Sequence, residues 1–114
     1  MRFAILNYVK PDGFVDRLPE NEPDAPAWGA YTKALIEAGV LVGGAALMSS
    51  HTATTLRLVE GRRDIHDGPY AETKEQLGGF YLIEVPDIDT ALEWAARNPA
   101  AATGAVEVRP VYVT

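Results

Sequence analysis

Two segments with helical periodicity, each set between short apolar runs, constrain the fold of this chain most. Apolar and aromatic residues recur three and four positions apart between residues 25 and 38, which predicts a helix there. Gly39 follows at the position where helices commonly end in a left-handed residue. A second helix is predicted after Asp87, which is placed as its N-cap. Asn98-Pro99 ends it, because proline disfavours helical geometry in the residue before it.

Six further segments have the length and composition of strands, and glycine, proline or polar residues bound them. The predicted strands are residues 2–9, 40–47, 54–59, 63–67, 79–85 and 105–113. Gly43-Gly44 interrupts the second strand, as a bulge or as a point of close backbone approach, and we favour the bulge. Glu60-Gly61-Arg62 is the type of link that closes a hairpin. Residues 16–26, rich in proline and carboxylates, predict a solvated loop.

The resulting order β-α-β-β-β-β-α-β resembles the split β-α-β arrangement of ferredoxin-like folds. We therefore predict an α+β fold, with an antiparallel sheet carrying two helices on one face and the middle hairpin as an addition. The other sheet face is left for solvent or for a second copy of the chain to cover. A homodimer of the dimeric α+β barrel type, with a pocket at the sheet face, is the prediction.

Length and composition restrict the functional classes. The 114 residues suffice for one domain, spanning residues 1–114. A formal net charge of −6, from 16 acidic and 10 basic side chains, argues against direct nucleic-acid binding. The absence of cysteine excludes disulfides, thiolate nucleophiles and sulfur-ligated metals, and fits a reducing cytosol. No apolar run is long enough to cross a membrane, so a cytoplasmic location without membrane contact is predicted.

The run from Asp67 to Glu75, Asp-Gly-Pro-Tyr-Ala-Glu-Thr-Lys-Glu, is the candidate site, because it concentrates unusual residues where a connector needs few. Asp67 shares a strand face with Ile65, while His66 projects to the opposite side. The Asp67 carboxylate has two open interpretations: a partly desolvated general base, or a group that stabilises the turn. Glu72 is a second candidate base, and equally a solvated surface residue.

Three further residues are candidate ligand contacts. Tyr70 and Tyr81 could line one cavity with their phenols as donors, or simply pack. Arg109 shares a strand face with Glu107, as a pocket floor or as an exposed pair. If the protein is an enzyme, Asp67 or Glu72 is the general base and Arg109 anchors an anion. No catalytic constellation names a reaction, so whether the protein is an enzyme stays open.

Metal and serine chemistry have weak support. The two histidines, His51 and His66, with Asp67 or Glu72 could suggest a metal site, but no recognised ligand spacing is present. Residues 49–51 hold serines beside a histidine without the glycine-flanked elbow of serine hydrolases. We therefore expect no metal and no cofactor.

Four segments carry a resemblance to a known family: residues 39–44, the run 67–75, residues 78–81 and the ending 106–110. Together they resemble the YCII-related family and, more narrowly, its DGPF-domain branch, with Tyr70 in place of the phenylalanine. The resemblance implies a ferredoxin-like fold that dimerises through its sheet. It also implies association with extracytoplasmic-function sigma factors, and an activity that is generally unassigned within the branch.

One feature of the wider group cannot be transferred. A histidine and an aspartate in the first helix region are a proposed catalytic pair there, but no histidine lies between Ala25 and Gly39, and the acid near the helix end is Glu37. Two hypotheses remain. The first is a cytosolic homodimer with a small-molecule pocket, and the second is a regulatory module that contacts a sigma-factor partner through Glu72 and Lys74.

Overall fold

The computed structural model describes residues 1–10 and 25–112 of the chain. Its strands are β1 (Arg2–Val9), β2 (Leu41–Ala46), β3 (Thr54–Val59), β4 (Arg62–Asp67), β5 (Gln76–Glu84) and β6 (Ala105–Pro110). Its helices are α1 (Ala25–Glu37), α2 (Ile88–Arg97) and the single turn α3 (Ala100–Thr103), with a 3-10 turn at Ser50–Thr52. Most of the loop predicted over residues 16–26 lies outside the described residues, and its last two residues begin α1.

Four strands form one antiparallel sheet in the order β2-β5-β1-β6. Each of the two longer helices connects a pair of parallel strands that are separated by a third strand, which is the split β-α-β arrangement. The strands β3 and β4 form a separate two-stranded sheet inserted between β2 and β5. The ferredoxin-like α+β prediction is confirmed, including the added hairpin.

The core lies between one face of this sheet and the two longer helices. Alternation along β1 turns Phe3 and Ile5 toward the helices, where they are at most 1% exposed. Tyr31 and Leu35 of α1 and Ala91 of α2 pack against them at helical spacing. Both helices therefore bury their apolar sides against the same sheet face.

The helix ends follow the predicted signals. The Asp87 carboxylate accepts a hydrogen bond of 2.8 Å from the backbone N–H of Thr90, and Gly39 is left-handed with φ 72°. Asn98 ends α2 as expected, but the chain then forms the extra turn α3, which the sequence reading missed. The Asn98 side chain accepts from the Ala100 N–H at 2.9 Å and so starts that turn.

Both interpretations of Gly43-Gly44 describe part of the structure. The register of β2 against β5 shifts between Leu41 and Gly43, which is a bulge. Gly44 has φ 153°, and a Cβ there would lie 2.4 Å from the Phe80 carbonyl oxygen, so the backbones also approach closely. A second register shift, between Asn7 and Tyr8, accompanies the pairing of β1 with the start of β5. This pairing extends β5 back to Gln76, where the sequence had suggested residue 79.

Candidate functional site

The sheet face opposite the helices forms the first part of the candidate site, and we call it the open face. Partners in an antiparallel register share a face, so the residues opposite Leu6 on either side lie on the open face with it. Its members along β1, β5 and β6 include Arg2, Ala4, Leu6, Tyr8, Phe80, Leu82, Glu84, Glu107 and Arg109. Its central apolar residues are half-buried although no described element covers them.

Three polar side chains are joined across the open face. The Tyr8 hydroxyl donates a hydrogen bond of 3.0 Å to Glu107 Oε1, and the Arg109 guanidinium donates to Glu107 Oε2. The hydrogen bond from Arg109, with that from Tyr8 second, lowers the pKa of the Glu107 carboxyl below its ordinary value. The hydrogen bond between Tyr8 and Glu107 also raises the pKa of the Tyr8 phenol above its ordinary value, and burial raises it further. The network therefore holds a carboxylate and a guanidinium in their charged forms beside apolar side chains.

Arg109 remains accessible although it is paired. Its side chain is 66% exposed, against 40% for Glu107. A guanidinium offers five N–H donors in a planar fork, so pairing with one carboxylate oxygen leaves donors for a further anion. This side chain could hold a carboxylate or phosphate on the open face.

Asp67 lies at the exit of β4, opposite Thr54, and is exposed in the single chain. The turn after it is held by its neighbours: the Gly68 N–H donates to the Ala53 carbonyl at 2.7 Å, and the Thr55 hydroxyl donates to the Gly68 carbonyl at 2.8 Å. The Asp67 carboxylate makes no hydrogen bond to the described residues. In one chain alone, the Asp67 carboxylate therefore shows neither the desolvation of a general base nor the turn-stabilising hydrogen bond, the two interpretations that the sequence left open.

The rest of the predicted run, residues 68–75, is an irregular loop on the surface. Tyr70 is 77% exposed, and Glu72 and Lys74 are exposed as well. The loop keeps its shape because the Gln76 side-chain amide donates to the carbonyl oxygens of Ala71 and Thr73, at 2.8 and 3.0 Å. Glu72 and Lys74 therefore face solvent in a single chain, whereas Glu75 is half-buried.

Tyr81 lies on the other side of the sheet from Arg109. It pairs with Ile5, which puts it on the helix face, and its hydroxyl shares a 2.9 Å hydrogen bond with the Thr32 hydroxyl. Its ring stacks on Trp28, with centroids 6.5 Å apart, and meets the edge of Tyr31 at 5.3 Å. The two predicted ligand contacts Tyr81 and Arg109 are therefore not brought together, and neither adjoins Tyr70 in one enclosed pocket of a single chain.

Two other features of the described part of the chain bear on function. A shallow depression of about 380 Å³ lies between α1 and the end of α2, lined by Ala27, Ala30, Tyr31, Arg97 and Pro99. Its lining offers a single charged group, so it has less binding chemistry than the open face. No group of three or more potential metal ligands occurs among residues 1–10 and 25–112, and no helix in these ranges is long and apolar enough to cross a membrane.

Sequence reasoning found Glu107 and Arg109 on one face but missed Tyr8 as their partner. Alternation along β1 places Tyr8 on the face of Leu6, but apolar residues occupy both faces of this strand and give no indication of which face is buried. A strand that is apolar on both faces is typical of one covered on both sides. The partnership of Tyr8 with Glu107 depends on the register of β1 against β6, which this pattern does not show.

Fold and site together define a ferredoxin-like α+β protein with a polar network on an otherwise apolar sheet face. The chain matches the YCII-related domain over residues 1–114 and belongs to the YCII-related family. It is also 45% identical, over 84 residues, to the uncharacterized protein R00369 of Rhizobium meliloti (strain 1021). The aligned part covers 72% of this chain and 68% of that protein.

Proposed function

We propose that this protein binds a small anionic molecule on its open face, in a pocket closed by a second copy of the chain. The observation that carries the proposal is the network of Tyr8, Glu107 and Arg109 on an apolar sheet face. A fixed, accessible guanidinium beside apolar surface is the arrangement by which proteins recognise carboxylates and phosphates.

The apolar residues of the open face support the second copy. Leu6, Phe80 and Leu82 lie side by side across β1 and β5. A sheet face that meets water is normally polar at alternate positions, and an apolar one is normally packed against another layer. Covering it with an identical face would also lower the local dielectric around Arg109, which strengthens its attraction for an anion.

The other predicted site residues have distinct places in this proposal. Asp67 and Glu72 are the candidate general bases, and being exposed in one chain they would need the second copy to bring them against a ligand. Tyr70 would contact the ligand from the surface loop. Tyr81 would reach a ligand only from the helix side, where its hydroxyl already has a partner. We therefore propose binding first, with acid–base catalysis as its extension.

The binding test compares two arginines of the open face. A panel of small carboxylates and phosphates is screened by thermal shift, since a ligand that binds only the folded protein raises its melting temperature. Arg109→Gln removes the proposed anchor, and Arg2→Gln is the matched control, because Arg2 is exposed and pairs with Glu84 outside the network. We expect at least one compound to bind about tenfold or more weakly to Arg109→Gln, because that variant loses a charged hydrogen bond. The same compound should bind Arg2→Gln as tightly as it binds the wild type. The proposal fails if no compound binds, or if both variants bind equally.

A second candidate function is a regulatory module without chemistry, as the DGPF branch suggests through its association with sigma factors. The exposed loop of residues 68–75 favours it, because Glu72 and Lys74 are available there for contact with a protein. Such a partner would place the protein in the cytoplasm. Co-purification with a tagged extracytoplasmic-function sigma factor tests this role, with Lys74→Glu expected to weaken capture and Lys33→Glu, on the surface of α1, as the control. Equal capture by both variants would contradict it.

A further inference from the structure

Ala4 is the small residue beside Arg109 on the open face. Along β1 it lies between Arg2 and Leu6, which share its face at two-residue spacing. Across the sheet its register partners are Arg109 on β6 and Leu82 on β5. Side chains directly opposite each other in an antiparallel pair have Cβ atoms about 5 Å apart, so these neighbours border Ala4 closely. The surface is therefore low at Ala4, with an arginine on one side and leucines on two others.

The positions around Ala4 indicate the shape of a ligand. Arg109 and Leu82 belong to strands on either side of β1, so their backbones are about 10 Å apart. An anion bound by Arg109 would have its carbon skeleton over Ala4, against Leu6 and Leu82, which are half-buried. Each methylene group that a ligand buries there strengthens its binding about fourfold. The site therefore fits an anionic group at one end of an apolar body.

The charges of the open face favour an anion with a single negative charge. Arg2 pairs with Glu84 at 3.4 Å, and Arg109 pairs with Glu107, so these four charges sum to zero. A second negative charge on the ligand would be repelled by Glu107 and by a chain whose net charge is −6. A carboxylate carries one negative charge at neutral pH, whereas a phosphate monoester carries about 1.5 to 2. The charge balance therefore selects a carboxylate over a phosphate.

We infer that the ligand of the open face is a monocarboxylate with an apolar body, whose carbon skeleton lies over Ala4. The inference rests on the proposed function and narrows its ligand from carboxylates and phosphates to one class. Arg109 binds the carboxylate group. Ala4 determines specificity, because its single methyl group leaves the space beside Leu6 and Leu82 that the apolar body occupies.

Matched compounds test the ligand class in NMR titrations of the wild-type protein, which also measure weak binding. Hexanoate represents the class, and acetate lacks its apolar body. Hexanamide lacks the charge, adipate adds a second carboxylate, and pentyl phosphate replaces the carboxylate by a phosphate. We expect hexanoate to bind about tenfold or more tightly than each of the other four. Failure of hexanoate to bind, or equal binding of any of the others, would overturn the inference.

Ala4→Leu tests where the apolar body lies. The larger side chain fills the space beside Arg109, so hexanoate should bind about tenfold or more weakly, while acetate should bind as it does to the wild type. Ala45→Leu is the matched control, because Ala45 pairs with Phe80 on the same face but belongs to β2, two strands from Ala4. This control should leave both affinities unchanged.

The role of Ala4 is refuted if the two leucine variants bind hexanoate equally, or if a folded Ala4→Leu loses acetate as readily as hexanoate. Thermal melts show whether each variant is folded. Ala4→Val repeats the comparison if Ala4→Leu does not fold, because a β-branched side chain suits a strand. Its expected effects are a weakened hexanoate and an unchanged acetate.

Arg109→Gln separates failure of the ligand class from failure of the proposed function. We expect hexanoate to bind this variant about tenfold or more weakly, and to bind Arg2→Gln as it binds the wild type. If adipate or pentyl phosphate depends on Arg109 and hexanoate does not bind, the proposed site stands and the ligand class is refuted. If every compound binds Arg109→Gln as tightly as the wild type, the proposed site is refuted, and the ligand class falls with it.

Discussion

The buried pair Asn7 and Asn98 gives the sharpest stability prediction. The Asn98 side chain donates to Asn7 Oδ1 at 2.7 Å and accepts from the Ala100 N–H at 2.9 Å, and both asparagines are at most 5% exposed. Asn98→Ala therefore leaves one buried acceptor and one buried donor without a partner. Each such group costs about 1–3 kcal/mol, so we expect a loss of roughly 3 kcal/mol in the free energy of unfolding.

In Asn7→Ala, one buried N–H donor of the Asn98 side chain has no partner. In the double variant, the Ala100 N–H is the one group of this set left without a partner. The double variant should thus be less destabilised than the sum of the singles, with a coupling free energy of about 1–2 kcal/mol. Urea unfolding at one fixed protein concentration measures all four proteins, because dimerisation would make stability depend on concentration. Additive effects, or an Asn98→Ala loss below about 0.5 kcal/mol, would refute the view that this pair ties β1 to the end of α2.

Three further predictions concern single positions. Gly104→Ala is expected to lower the melting temperature of the protein strongly, because the added Cβ would lie 2.1 Å from the Tyr8 carbonyl oxygen. Gly29→Ala is its control: it has open space around it in α1 and should stabilise the protein by about 1 kcal/mol. Burial raises the pKa of Tyr31 to about 12. Its contribution to stability is therefore complete below pH 10 and lost as the pH rises toward 12, and an ultraviolet titration should lose its latest tyrosine step in Tyr31→Phe. Asp87→Ala should lower the melting temperature at pH 7. Since the hydrogen bonds of the cap lower the Asp87 pKa below its ordinary value of 3.8, the difference from wild type should vanish as the pH falls through the lowered value.

The fold could be predicted from local signals because those signals are strong here. The cap residue Asp87, the left-handed Gly39 and the glycine-containing hairpin link each specify a local geometry that tertiary packing did not override. The turn α3 was missed because Asn98-Pro99 was interpreted only as the end of α2, although an asparagine before a proline is also a local signal for a helix start. The hydrogen bond from Asn98 to Asn7, 91 residues away, leaves no local pattern in the sequence.

The candidate site was harder to predict than the fold for a related reason. The run 67–75 is conspicuous in the sequence, but Asp67 is exposed at the end of β4, and Glu72 and Lys74 are exposed on the loop that follows. The network of Tyr8, Glu107 and Arg109 joins residues 99 positions apart along the chain and is produced only by the pairing of β1 with β6. A site made of consecutive residues can be recognised in a sequence. A site on a sheet face is harder to recognise, because its residues come from strands that are distant along the chain.

Adjacent residues of β1 serve the core and the site separately. Asn7 turns to the helix side and bonds to Asn98, while Tyr8 turns to the open face and bonds to Glu107. This division follows from the two-residue period of a strand, and a slip of one residue would exchange the two roles. Arg109, which is largely exposed, can therefore be replaced without touching the buried pair. Loss of binding in Arg109→Gln with unchanged unfolding would then report on the site itself, because the fold and the site depend on opposite faces of the same sheet.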